Sequence, residues 1–161
     1  MSLAAEAART LTRFQLLIAE RVQANGTRGL RQKIDEGFVE IGGWTKIASG
    51  GIDWTKKSPQ GASVGVEVQV SGRSDMLAVD IMHLKDDIDA GALDIGIIIV
   101  PDDVLSRWLT DRTPNFATAI KHVEHRAREL PIRVLAFRHD GVGDPLPKVR
   151  TNLGRLPPGD Q

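Results

Sequence analysis

The chain is 161 residues long, 41% apolar and free of cysteine, and its 21 basic residues balance its 21 acidic ones. That length suits one domain of about 100 to 200 residues. The composition excludes a disordered tail or polybasic arm, and the absence of thiols excludes disulfide scaffolds, thiolate zinc sites and cysteine nucleophiles.

Leu3, Ala7, Leu11, Phe14, Leu17, Ile18 and Val22 recur at steps of three and four, which predicts one long first helix ended by Asn25-Gly26. Leu30, Ile34, Phe38 and Ile41 predict a second helix, stopped by Gly42-Gly43. Trp44 to Trp54 reads as two short extended pieces around a Ser49-Gly50-Gly51 turn, and Lys56 to Gly61 as a polar loop. Val64, Val66, Val68 and Val70 then alternate strictly with Gly65, Glu67, Gln69 and Ser71, the pattern of a strand with two unlike faces. Leu77, Ile81, Leu84 and Ile88 mark a third helix from Asp75 to about Asp89, closed by Gly91. Ile95 to Val100, closed by Pro101, is a nearly unbroken β-branched run that suits a strand covered on both faces. Thr113-Pro114 starts a fourth helix with Phe116, Ile120, Val123, Ala127 and Leu130 as its buried stripe; Pro131 ends it, and Ile132 to Phe137 is a last strand. The order describes a single α/β domain with a mixed sheet over residues 1–140, followed by a Pro/Gly-rich loop or tail over residues 141–161. No apolar run approaches the roughly 18 residues of a bilayer span and no signal core follows a basic start, so a cytoplasmic protein without a membrane partner is expected.

The alternating strand carries the chemistry. Glu67 and Gln69 point to one side, their Cα atoms about 7 Å apart, opposite the valines. A carboxylate and an amide facing one space cost desolvation unless they meet water, an ion or a cleft, and a cleft is expected. Asp53, fourteen residues upstream on a short Gly-flanked segment, comes beside Glu67 if the chain returns as a hairpin. Two adjacent carboxylates repel, and a hard cation relieves them; Mg²⁺ is normally held by one or two carboxylates with water and phosphate oxygens. The backbone carbonyl of Val68 is a further candidate ligand.

Asp53 within Gly51-Ile52-Asp53-Trp54, followed by Val66-Glu67-Val68-Gln69-Val70, resembles the PD-(D/E)xK nuclease motif. The variant is that of BglII-type restriction endonucleases, in which Gln replaces the usual Lys. The helix after the strand and the run Leu93-Asp94-Ile95-Gly96-Ile97-Ile98-Ile99-Val100-Pro101 are similar to the helix and strand that come after the motif in that family, and the likeness covers roughly Ile34 to Phe137. Ile52 stands where the motif has Pro. The resemblance implies a restriction-endonuclease-like α/β fold, with a central mixed β-sheet flanked by helices. It also implies cleavage of double-stranded DNA with Mg²⁺, for which Mn²⁺ substitutes, by a homodimer cutting both strands. Asp53 and Glu67 would then be metal ligands and Gln69 would orient the attacking water. Phosphodiester hydrolysis needs a nucleophilic water, charge stabilisation on the phosphoryl oxygens and help for the leaving oxygen, and a bound metal serves all three. Gln69 is no base, so deprotonation falls to the metal or to a phosphate oxygen.

Other residues admit plainer readings. Glu36 and Glu40 lie off the second helix's stripe and read first as a solvated face, with Glu40 kept as a candidate support behind a metal ligand. Lys46, Lys56 and Lys57 flank Asp53, and Ser71 and Arg73 follow the strand; all five are candidates for DNA contact, Lys46 reading first as a surface residue and the other four equally as surface residues. His122 and His125 lack a third ligand and read as an exposed helix face. Asp86, Asp87, Asp89 and Asp94 lack EF-hand spacing. Net charge is uneven, with nine basic and six acidic residues up to Lys57, three and ten from Ser58 to Asp111, and nine and five beyond. Basic ends that meet a polyanion explain this about as well as solvated faces do. Two rival functions share the motif: a nuclease-fold DNA-binding protein without turnover, and a metal-dependent hydrolase of another phosphoester.

Overall fold

The computed structural model describes residues 2–48, 51–71 and 75–148. In chain order these form α1 (Leu3–Thr10), β1 (Leu17–Ile18), α2 (Arg28–Ile41), β2 (Thr45–Lys46), β3 (Trp54–Lys57) and β4 (Ser63–Val68). They continue with α3 (Met76–Asp89), β5 (Ile95–Pro101), α4 (Leu105–Trp108), α5 (Phe116–Arg126), β6 (Ile132–Phe137) and β7 (Gly141–Val142). Five strands bond in the order β2-β3-β4-β5-β6, antiparallel as far as β4 and parallel from there. The result is a mixed sheet with helices on both faces.

Period-two geometry sorts the strand residues between two cores. Val64, Val66 and Val68 join Ile97, Ile99 and Trp54 against Leu30, Ile34 and Phe38 of α2. On the other face Ile98 and Val100 meet Leu77, Ile81 and Leu84 of α3 and Ala119 of α5. β5 therefore feeds both cores, which is why its run is continuously apolar. Each Val, Leu, Ile or Phe among them contributes roughly 1.5–3 kcal/mol by leaving water. Phe38 stacks on Trp54 with ring centroids 5.0 Å apart and meets the edge of Trp44 at 5.1 Å. α1 crosses α2 at Gly37, where a Cβ would lie 2.7 Å from the Thr10 carbonyl oxygen.

Four sequence expectations need correction. The first helix ends at Thr10 rather than running to Asn25. Thr10 and Thr12 hydroxyls donate to the carbonyls of Ala7 and Arg9, an alternative to continuing the helix. Leu16 and Ile18 are then buried with Leu17 exposed between them, a period of two. That segment is β1, which pairs in parallel with β7, and Leu16 N–H donates to Asp140 Oδ2 at 2.7 Å. Val22, assigned to the helix stripe, is exposed. Second, Lys56 and Lys57 belong to β3 and not to the polar loop. Third, α5 starts at Phe116 under an Asn115 cap, and Phe116 is exposed while Ala119 is buried.

Fourth, the segment after residue 140 is tied to the domain as far as it is described. Beyond the β1–β7 pair, Gly26 N–H donates to the Leu146 carbonyl and Leu146 N–H to Asn25 Oδ1. A Cβ at Gly26 would sit 1.8 Å from the Pro147 oxygen, so only glycine admits this contact. Residues 149–161, and the Ser49-Gly50 part of the expected turn, lie outside the described residues. Among the described residues no helix is long and apolar enough to cross a membrane.

Candidate active site

The chain does return as a hairpin: β3 pairs antiparallel with β4, Trp54 opposite Val66. One step further along this register Asp53 falls opposite Glu67. Asp53 is fastened there by its own N–H, which donates to the Val66 carbonyl at 3.1 Å, and by its Oδ2, which accepts from Val68 N–H at 2.8 Å. The side chain thus takes over the ladder where β3 begins.

Three carboxylates meet at this corner. Glu67, on the β4 face opposite the valines, is 4% exposed, and its Oε1 is buried without a hydrogen-bond partner among the described residues. Burial, the nearby charges of Asp53 and Asp80 and a hydrogen bond shared with Asp53 push its carboxyl up to about 10. The expected open cleft is therefore closed at Glu67, because α3 packs on that face through Leu77, Ile81 and Leu84. Asp80 of α3 is also raised, by burial and by Asp53, against the hydrogen bond it accepts from Gln69 Nε2. With its nitrogen committed to Asp80, Gln69 keeps its oxygen for another donor. His83, one turn beyond Asp80, holds Nδ1 3.9 Å from Glu67 Oε1.

The positive charge at the corner comes from α2. Arg31 Nη2 pairs with Asp53 Oδ1 at 2.8 Å, Nη1 donates to the Val68 carbonyl at 3.1 Å, and Nε meets Asp35 at 3.2 Å. Although burial opposes it, this company keeps Arg31 firmly protonated. Asp35 likewise overcomes burial, since Lys46 at 2.7 Å, Trp54 Nε1 at 2.9 Å and Arg31 hold its carboxyl below the usual range. An open groove of about 630 Å³ runs along α2 here, past Arg28, Arg31, Lys46 and Trp54.

The remaining sequence candidates scatter. Glu40 is exposed and pairs with Arg13 at 4.0 Å, so the α2 acid linked to Asp53 through Arg31 is Asp35. Lys46 reaches that network, whereas Lys56 is taken up by Glu6 and the Gly42 carbonyl beneath Trp44. Lys57 and Ser71 are exposed, and Arg73 lies outside the described residues. His122 meets Arg126 on α5, away from this corner.

Arg31, Asp35, Asp80 and His83 were not singled out from the sequence. A signal existed for two of them: Asp80 sits three residues after Leu77 and four before Leu84, and Arg31 three before Ile34 and seven before Phe38. A charge within a buried stripe is expensive unless paired, and so marks a site.

The donor set suits a divalent cation. A buried carboxylate oxygen without a partner, packed beside two further carboxylates, is a demand for positive charge that Arg31 meets only at Asp53. No curated protein matches the chain. A family model described as restriction endonuclease BglII/BglIII matches residues 2–137, which takes in every element from α1 to β6 and the whole of this carboxylate corner. The mixed sheet between helices is thus the restriction-endonuclease-like arrangement, and the chain belongs to the BglII-type restriction endonuclease family.

Proposed function

We propose that the chain is a Mg²⁺-dependent endonuclease that hydrolyses phosphodiester bonds of double-stranded DNA, working as a homodimer in the cytoplasm. The observation that carries this reading is the meeting of Asp53 and Glu67 across the β3–β4 hairpin, two carboxylates close enough for Asp53 to raise the Glu67 carboxyl. Asp53, Glu67 and the Val68 carbonyl would hold the ion. When bound, it would supply charge stabilisation at the phosphoryl group and a more acidic water. Gln69, its amide nitrogen anchored on Asp80, offers its oxygen to accept from and orient that water. Arg31 now spans Asp53 and the Val68 carbonyl, two of the three proposed ligands, so an ion must displace it. A released Arg31 guanidinium stands beside the groove, suited to a DNA phosphate. Lys46 on the same groove is the better placed of the lysines.

Incubating plasmid with protein and Mg²⁺ tests the reading. Cutting by the wild type, lost in Asp53→Asn, supports it; equal cutting by both removes it. The occupation of Asp53 and Val68 by Arg31 favours one rival, a nuclease-fold protein that binds DNA without turnover. Salt-sensitive retention of DNA with no cutting at any divalent ion would establish that rival instead.

A further inference from the structure

α3 lays Asp80 and His83 one helical turn apart over the Glu67 end of β4, and the ligand atoms of the three residues lie within 4.8 Å of one another. Among the described residues two of these atoms are without partners: Glu67 Oε1 and His83 Nδ1 are both buried and make no hydrogen bond. Their separation of 3.9 Å is too long for a hydrogen bond. It matches two ligands on one ion, since bonds of about 2.0–2.2 Å place neighbouring ligand atoms about 3–4 Å apart. Glu67 is 4% exposed, so its orphaned oxygen is aimed into this gap and not into solvent. Asp80 is held in place by the hydrogen bond from Gln69 to its Oδ2, which leaves its other oxygen for an ion. The His83 side chain is 40% exposed although Nδ1 is buried, which gives an ion a way in from the surface.

We propose that Glu67, Asp80 and His83 form a second cation seat, separate from Asp53 and the Val68 carbonyl, that takes a divalent transition ion such as Zn²⁺ or Co²⁺. The imidazole decides the class. Nitrogen donors suit Zn²⁺ and its neighbours, whereas Mg²⁺ prefers oxygens alone. The seat goes beyond the proposed nuclease reaction; it shares Glu67 with it as a ligand, and Asp80 only as the anchor of Gln69. An ion there ties α3 to β4, so its presence is read in stability and spectra without any DNA.

The test uses chelator-treated full-length protein. Zn²⁺ titration of the wild type, followed by imidazole ¹⁵N resonances, should shift one of the four histidines, His83, first. Co²⁺ should give visible d–d absorption and raise the melting temperature of the wild type and Asp53→Asn alike. His83→Gln and Asp80→Asn should each weaken Co²⁺ binding about tenfold or more. Unshifted His83 resonances, or Co²⁺ binding kept by His83→Gln and lost in Asp53→Asn, would overturn the proposal. Wild type that fails to cut DNA with Mg²⁺ refutes the nuclease reading and leaves this seat standing; a missing seat with intact cutting does the reverse.

Discussion

Replacing Glu67 by Gln should make the metal-free protein more stable while ending its cutting activity. In the unfolded chain Glu67 titrates near 4.5, and in the fold its carboxyl is pushed up to about 10 by burial and by Asp53 and Asp80. Between these values the folded state holds a proton that the unfolded state has released, so stability falls as pH rises through that window. At pH 7 the cost is roughly two and a half pH units at about 1.4 kcal/mol each, or about 3 kcal/mol. A glutamine is neutral at every pH and avoids it. Urea denaturation in the presence of chelator should show Glu67→Gln ahead by about 3 kcal/mol at pH 7 and by less than about 1 kcal/mol at pH 5. The same gain at neutral pH corresponds to a melting temperature raised by about 6–12 °C for a domain of this size. Mg²⁺ should narrow the gap by stabilising only the wild type. An advantage equal at pH 5 and pH 8, or a glutamine variant less stable throughout, would refute the reasoning, because neither is expected of a buried carboxyl forced to keep its proton.

Arg31→Met keeps the apolar stem but frees Asp53 Oδ1 and the Val68 carbonyl, so Mg²⁺ should bind about tenfold more tightly by calorimetry, the worth of one charge-assisted hydrogen bond. Equal or weaker binding would show that Arg31 does not compete for those atoms. Gly37→Ala should lower stability by about 1–3 kcal/mol, because the added methyl meets the Thr10 backbone oxygen at 2.7 Å. Gly29→Ala in the same helix, facing open space, should be neutral or gain up to about 1 kcal/mol. Matching denaturation midpoints for the two variants would remove the close helix crossing as a constraint.

Several features of the corner are legible in the chain itself. The alternation from Val64 to Val70 requires a strand, which the structure ends at Val68, and Gln69, one residue past it, stays on the Glu67 side because its N–H still bonds the Ile99 carbonyl. The continuous run of β5 likewise announces burial on two faces, as Ile97 and Ile98 in opposite cores bear out. The first helix shows the weakness of such reading. Leu11, Phe14, Leu17 and Ile18 satisfy a helical spacing, yet Leu16 to Ile18 also satisfies a strand. The choice was made by Asp140 and β7, more than 120 residues away, through hydrogen bonds no local pattern can anticipate.

The same division holds at the site. Residue order alone determined the strand, the unlike faces of that strand and the motif of acid, acid and amide, because these depend on chemistry within a few residues of chain. Tertiary structure decided that α3 closes over Glu67 and leaves its oxygen unpartnered. It also brought Asp80 and His83 of α3 beside that oxygen, and set Arg31 from α2 across Asp53 and the Val68 carbonyl. Those groups come from α2, β4, α3 and the residue that leads into β3. What joins them is the packing of two helices on opposite faces of one sheet, and with it the burial that turns neighbouring carboxylates into a demand for a cation.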